Sequence, residues 1–356
     1  MTKRSEKGRE QTSGLGWKLL AAPLALAAGW IVFSKFAIRH RRELPPPLPG
    51  ETFSVPFSGG MSVYADGPED APPLLLIHSI NAAASAYEMR PLCLHYRSSR
   101  RVYALDLPGF GLSQRENKIY TPRLMTDAIH AATEAIRKRH AGAAIDVIAL
   151  SLSSEYAARA AAERPEAYRS LGLISPTGFE RRRSSEGPDG ANRGNRLVLS
   201  AVSAGLWSRP MFDLLTTAPS IRFFLQKTWG SRAIDEGLLA YDLLTTHQTG
   251  AEHAVWSFLA GYLFATDARR LYRRLTLPVW VAHGVRGDFV DYHGLEEVAH
   301  KPNWKVETFD TGALPHFERL REVTDSYDAF RRTKAQWDYR EGERTPSLAS
   351  MENAIK

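Results

Sequence analysis

Cysteine is almost absent: Cys93 is the only one in 356 residues. No intrachain disulfide can form, so the core has to carry the fold. Histidine is sparse and scattered, 11 in all, with no close His/Cys pairing of the kind that ligates zinc. Neither a metal nor a cofactor is expected. Charge of one sign is also missing from most of the chain. The net charge is +7, but residues 1–43 hold nine Lys or Arg against three acids, which leaves the body at +1. A nearly neutral body excludes the electrostatic footprint of a nucleic-acid binder. No internal repeat is visible. What is present, 44% hydrophobic and 24% charged residues, is ordinary for a folded chain long enough to bury a large core.

The basic excess brackets an apolar run. Leu19 to Phe33 carries no charge, Lys18 and Lys35 sit near its ends, and Trp17 and Trp30 suit an interface. Arg39, Arg41 and Arg42 follow at once, and then Pro45 to Gly50 reads as a stiff extended linker. SKFAIRHRR offers no small-residue cleavage site, which argues against a removed signal peptide. The sequence therefore predicts a basic tail over 1–16, a single-pass membrane anchor helix over 17–38 and a basic, proline-rich linker over 39–51. Five basic residues precede the apolar run and four follow it closely, so the side of the membrane is left open.

Beyond the linker, TFSVPF and MSVYA alternate like opening antiparallel strands turned at Gly59-Gly60. LLLIHS, RVYALDL, AIDVIAL, LGLIS and LPVWVAH are continuous apolar runs of the kind buried on both faces of a sheet, and WKVETFD closes the series. Met125, Ile129, Ala132 and Ile136 recur at helical spacing within Pro122–His140, and an Ala-rich helix is expected over Glu155–Glu163. Alternating strands and helices predict an α/β fold, a mostly parallel sheet flanked by helices. The alternation lapses between Thr177 and Leu277, where a polar Arg/Gly/Ser-rich stretch precedes a helical pattern rich in Leu, Phe and Trp. The expected layout is a core over 52–179 and 276–338, a helical cap insertion over 180–275, and a disordered tail over 339–356.

Chemistry in such a sheet gathers at the carboxyl ends of the strands. Ala149-Leu150-Ser151-Leu152-Ser153 follows one strand and precedes a helix. It resembles the G-x-S-x-G nucleophile elbow of the α/β-hydrolase family, with small residues in place of both glycines. His78-Ser79-Ile80 resembles the family's HG-x oxyanion loop, with Ser79 replacing glycine, and small residues 81–85 follow. Asp106-Leu107-Pro108-Gly109-Phe110-Gly111-Leu112-Ser113 matches the family's D-x-P-G-x-G-x-S turn, which reads as structural. The resemblance covers about residues 52 to 335. It implies Ser151 as nucleophile, with the backbone N–H groups of Ile80 and Leu152 facing a developing oxyanion.

The same resemblance implies an acid and a base. Gly284-Val285-Arg286-Gly287-Asp288-Phe289-Val290 is similar to the family's G-x-x-D-x-x-V with one extra residue, which makes Asp288 the acid and Asp291 the runner-up. After the last strand the family reads G-H-x-P-H-x-E. This chain reads Gly312-Ala313-Leu314-Pro315-His316-Phe317-Glu318, so Ala313 stands at the base position and His316 is the substitute base. Should His316 fail, His78 is next. The function implied is serine-dependent hydrolysis of an ester, with Leu206, Trp207, Met211, Phe212, Phe223 and Phe224 of the cap pointing to an apolar or lipid-like acyl group. Two alternatives stay open: a non-catalytic binding protein on the same fold, and a cofactor-free peroxidase or C–C hydrolase.

Overall fold

Strands β3 (Pro73–Ile77), β4 (Arg101–Leu105) and β5 (Ile145–Leu150) are buried at every residue, which the unbroken apolar runs require of a sheet covered on both faces. Together with β1 (Glu51–Val55), β2 (Met61–Asp66), β6 (Tyr168–Ile174), β7 (Val279–Gly284) and β8 (Trp304–Phe309) they form one eight-stranded sheet. Its order is β1-β2-β4-β3-β5-β6-β7-β8, antiparallel around β2 and parallel from β4 onward. This computed structural model describes residues 13–40, 42–180, 186–289 and 291–344, without the side chains of 13–22, 24 and 334–344.

Side-chain alternation sorts the core into two layers. Leu75, Ile77, Tyr103, Val147 and Ala149 pack on α3 (Pro122–Arg139) and α4 (Ser153–Glu163). Leu74, Leu76, Val102, Ala104 and Ile148 pack on the opposite side with α2 (Arg90–Tyr96) and α13 (Leu320–Arg344). The chain leaves β3 toward β4 and returns to β5 on β3's other side. The ends of β3 and β5 therefore flank the crevice where such a sheet places its ligands.

Among the described residues, six α-helices run between β6 and β7: α5 (Arg196–Val202), α6 (Ser208–Leu215), α7 (Ala218–Trp229), α8 (Glu236–Thr246), α9 (Ala251–Leu259) and α10 (Ala268–Arg274). Two short ones, α11 (Glu296–Ala299) and α12 (Pro315–Glu318), precede and follow β8. The polar stretch after β6 is held over its described part. Gly187 donates to Thr266 O at 3.0 Å, Asn192 bridges Ala265, and Glu186 pairs with Arg270 and Arg273. Residues 181–185 lie outside the described residues. So does 345–356 of the expected tail, while α13 continues through Arg344, past the predicted end at 338.

The structure does not show the expected membrane anchor. A helix, α1 (Ser13–Ala37), does cover most of 17–38, but among the described residues no helix is long and apolar enough to cross a membrane. The C-terminal end of α1 is bonded to α6. Trp30 Nε1 donates to Pro210 O at 2.7 Å, and Ser34, fully buried, donates to Asp213 Oδ2 at 2.6 Å. The linker is likewise stitched down. His40 Nε2 lies 2.8 Å from Asp213 Oδ2, Gln248 donates to Arg42 O, Tyr241 to Pro45 O and Arg90 to Pro47 O. Residues 1–12 of the basic tail lie outside the described residues.

Candidate active site

Ser151 stands between the last residue of β5 and the first turn of α4, at φ 55°. A left-handed conformation at a serine costs about 1–3 kcal/mol and persists only where neighbours enforce it. They do so here: Ser151 N–H donates to Ile174 O at 2.8 Å, and Ser154 N–H donates to Ser151 O at 3.0 Å. The hydroxyl of this half-buried serine has no hydrogen-bond partner among the described residues. The small residues around it are fully buried, as close strand–helix packing requires. Ala149 fits against the core, and Ser153 donates its hydroxyl to His78 O at 2.5 Å, tying the elbow to the end of β3.

The loop after β3 is held by one buried carboxylate that sequence reasoning missed. Glu88 accepts from Ser79 N–H at 2.7 Å, from the Ser79 hydroxyl at 2.9 Å and from Asn81 Nδ2 at 2.6 Å. Asn81 in turn accepts from Ala83 N–H at 2.7 Å. Burial pushes the Glu88 carboxyl up from its ordinary value, while nearby His78 and these donors pull it down. Between the clamped residues lies Ile80. Neither its N–H nor that of Leu152 has a partner among the described residues, as a pair awaiting an oxyanion would be. Glu88 is the only acid between Leu74 and Ser99, and that was the available signal.

His78 is excluded as a base. Leu107 N–H donates to its Nε2 at 2.9 Å, so the proton sits on Nδ1, 2.5 Å from Ser79 O, and both nitrogens are committed. Asp106 is structural: its carboxylate takes Tyr64 OH at 2.5 Å and the N–H groups of Ala86 and Leu112, both at 2.7 Å. Gly111, at φ 48°, leaves no room for a Cβ, which would fall 1.9 Å from Asp106 Cγ.

The acid and base candidates are not brought together. Asp288, more than half exposed, pairs with Lys227 Nζ at 3.3 Å, and Asp291 with His293 at 2.8 Å. Ala313 is buried, with its N–H on Thr228 O at 2.8 Å and its carbonyl taking the Ser175 hydroxyl at 2.7 Å. His316 is fully buried at the start of α12, with Nε2 2.8 Å from Glu88 O. A carbonyl only accepts, so Nε2 carries the proton and the buried, unpartnered Nδ1 keeps its lone pair. Burial lowers the imidazole to about 4, so it is neutral at neutral pH. No hydrogen bond joins His316 to Ser151 or to Asp288. A cavity of about 290 Å³ between α4 and α10 is lined by Arg159, Asp189, Asp267 and Arg270, which pair with one another, and excludes all of these residues.

An elbow of this geometry on this sheet defines a class. The chain belongs to the alpha/beta hydrolase fold family, whose model matches residues 72–320. No curated protein is similar in sequence. Among solved structures it is similar to a bacterial membrane phospholipase A, 20% identical over 90% of this chain and 97% of that one, with TM-score 0.60. It is also similar to a carboxylesterase of Bacillus subtilis, 18% identical over 80% and 92% of the two chains, with TM-score 0.59. A third is a 2-hydroxy-6-oxo-6-phenylhexa-2,4-dienoate hydrolase from Rhodococcus, 15% identical over 79% and 99%, also at TM-score 0.59. At these identities the likeness is one of fold.

Proposed function

We propose that the chain is a serine hydrolase that cleaves an ester with an apolar acyl group. Ser151 Oγ attacks the carbonyl, and the oxyanion is taken by the N–H groups of Ile80 and Leu152. His316 Nδ1 accepts the serine proton and returns it to the leaving alcohol; water then attacks the acyl-serine, giving its proton to His316, which returns it to Ser151 Oγ as the acid leaves. The observation that carries this reading is the unpartnered Ser151 hydroxyl at φ 55°, beside two N–H groups that are also without partners. His316 has to approach Ser151 when substrate binds, because no hydrogen bond links them in this structure. Asp288 stays the acid candidate by its motif alone.

An apolar substrate suits the cap, though not residue by residue. Phe212 is buried in the cap's own core with Trp256, and Met211 packs against it. Leu206, Trp207, Phe223 and Phe224 instead face outward, 45–59% exposed. On α1, Leu26, Val32, Phe33 and Phe36 are exposed too, near the exposed Lys35, Arg39 and Arg42. Such surfaces meet membranes, and we assign this one to lipid contact. Replacing Val32, Phe33 and Phe36 together by Asp, which leaves the bonds of Trp30, Ser34 and His40 in place, should abolish sedimentation with anionic vesicles and leave ester turnover unchanged. Undiminished sedimentation removes the membrane assignment.

The hydrolase itself is tested with p-nitrophenyl esters of rising acyl length. Turnover should rise with length and vanish in Ser151→Ala. Absence of turnover at every length would leave a second reading, a binding protein on a hydrolase scaffold. Ala313 at the base position and the Lys227–Asp288 pair are the observations that favour it.

A further inference from the structure

Two departures from the family pattern, serine for glycine at 79 and at 153, look at first like decay of the site. The structure gives each a partner: Ser153 reaches His78 O, and Ser79 reaches Glu88. Glu88 does more than satisfy one hydroxyl. Its carboxylate gathers three donors from the residues immediately before and after Ile80, and it is 5% exposed. Three charge-assisted bonds to one buried carboxylate fix backbone direction far more tightly than a glycine loop does on its own. The same residue's carbonyl accepts the Nε2 proton of His316, which decides that Nδ1, and not Nε2, holds the free lone pair.

We propose that Glu88 is the positioning residue of this site, setting the aim of the Ile80 N–H through its side chain and the tautomer of His316 through its main chain. The inference rests on the hydrolase reading above. It explains why glycine is dispensable at position 79: the Ser79 N–H and hydroxyl point at one carboxylate. It also explains why His316 can serve without a carboxylate partner of its own, since a carbonyl fixes its protonated nitrogen. Asp242, on α8, is the neighbouring acid; it is buried, its carbonyl takes the Thr245 hydroxyl, and its carboxyl has no hydrogen-bond partner among the described residues. Burial, then the nearby Glu88, pushes the Asp242 carboxyl well above its usual range, while three donors favour the ionised form of Glu88.

The test is Glu88→Gln, whose NH2 would face either the Ser79 N–H or Asn81 Nδ2, donor against donor. Loss of a well-aimed oxyanion donor lowers turnover by about 10²-fold. A fall of that size in kcat is expected, with KM within about threefold, because the N–H is used most in the transition state. Affinity for an alkyl boronic acid, which forms a tetrahedral adduct on Ser151, should fall in parallel, whereas a purely structural role would not separate boronate from substrate. The swap Glu88→Gln with Asn81→Asp restores one amide–carboxylate pair in reverse and should recover part of the loss. Should Glu88→Gln not fold, Asn81→Ala removes a single donor and is read by the same split, with a loss of about tenfold in kcat. Wild-type kcat and boronate affinity in either folded variant overturns the proposal while the hydrolase reading stands. A wild type without turnover overturns both.

Discussion

At the ends of β3 and β5 the polar groups around Ser151 are organised toward one point. At the ends of β6, β7 and β8 the corresponding groups look elsewhere. On the first side Ser153, His78, Ser79, Asn81 and Glu88 form one bonded belt, and the Ser151 hydroxyl and the N–H groups of Ile80 and Leu152 have no partner among the described residues. On the second side Asp288 faces solvent and Lys227, Ser175 is turned to Ala313, and His316 points Nε2 at Glu88. On the reading proposed above, nucleophile geometry and proton handling are separable parts of this fold. The first is enforced by the backbone, through φ at Ser151 and register at β5. The second depends on loops that can be rewired one residue at a time.

Substitution at His316 should have the largest effect on that contrast. His316→Ala is expected to lower kcat by about 10²–10⁴-fold, the usual worth of a positioned acid–base group. The acid limb of the wild-type pH–rate profile should fall near pH 4, not near the ordinary histidine value, because burial depresses this imidazole to about 4. A depressed histidine stabilises the fold above its unfolded pKa of about 6.5 and loses that contribution as pH falls through its folded value. Melting temperature should therefore drop between pH 6.5 and 4, and less so in His316→Gln. A profile breaking near 6.5 would place the base elsewhere or show it exposed. Ala313→His with His316→Ala should regain part of the rate, since it returns the base to the position that the family motif uses.

A smaller effect is expected at Asp288. Its exposed pairing with Lys227 is worth about 0–1 kcal/mol, so Asp288→Asn should change kcat by less than about threefold. A loss beyond about 10²-fold would mean that the acid half reassembles around substrate, and the contrast between the two sides would be one of the resting state only. Smallest is Asp242→Asn, read as stability. The carboxyl is pushed well above its usual range by burial, then by Glu88 and Asp235. A raised acid favours folding below its unfolded pKa and loses that contribution as pH rises. The variant should thus melt about 2–4 °C higher per kcal/mol relieved at neutral pH, and match the wild type near pH 3.

The sheet was legible in the sequence because continuous apolar runs have few other uses, and the elbow because small residues must flank a strained serine. Ser153 and Ser79 could be read as departures from a motif but not as bonds, since their partners His78 and Glu88 lie 75 and 9 residues away. The apolar N-terminal run was legible as a helix, but local hydropathy carries no record of Pro210 and Asp213, about 180 residues on, which take Trp30 and Ser34. His316 was found by elimination within one loop. That its protonated nitrogen would face a backbone carbonyl is decided by how α12 packs beside Glu88, which spacing does not encode.

The central claim is that the Ser151 elbow works although its acid and base partners have moved. Its most direct test is the site of covalent modification when the purified full chain is treated with an alkyl fluorophosphonate and mapped by peptide mass spectrometry. The account predicts a single adduct on Ser151, absent from Ser151→Ala and formed about 10²-fold more slowly or worse in His316→Ala. An unmodified Ser151 in folded protein, or an adduct that survives Ser151→Ala, would contradict it.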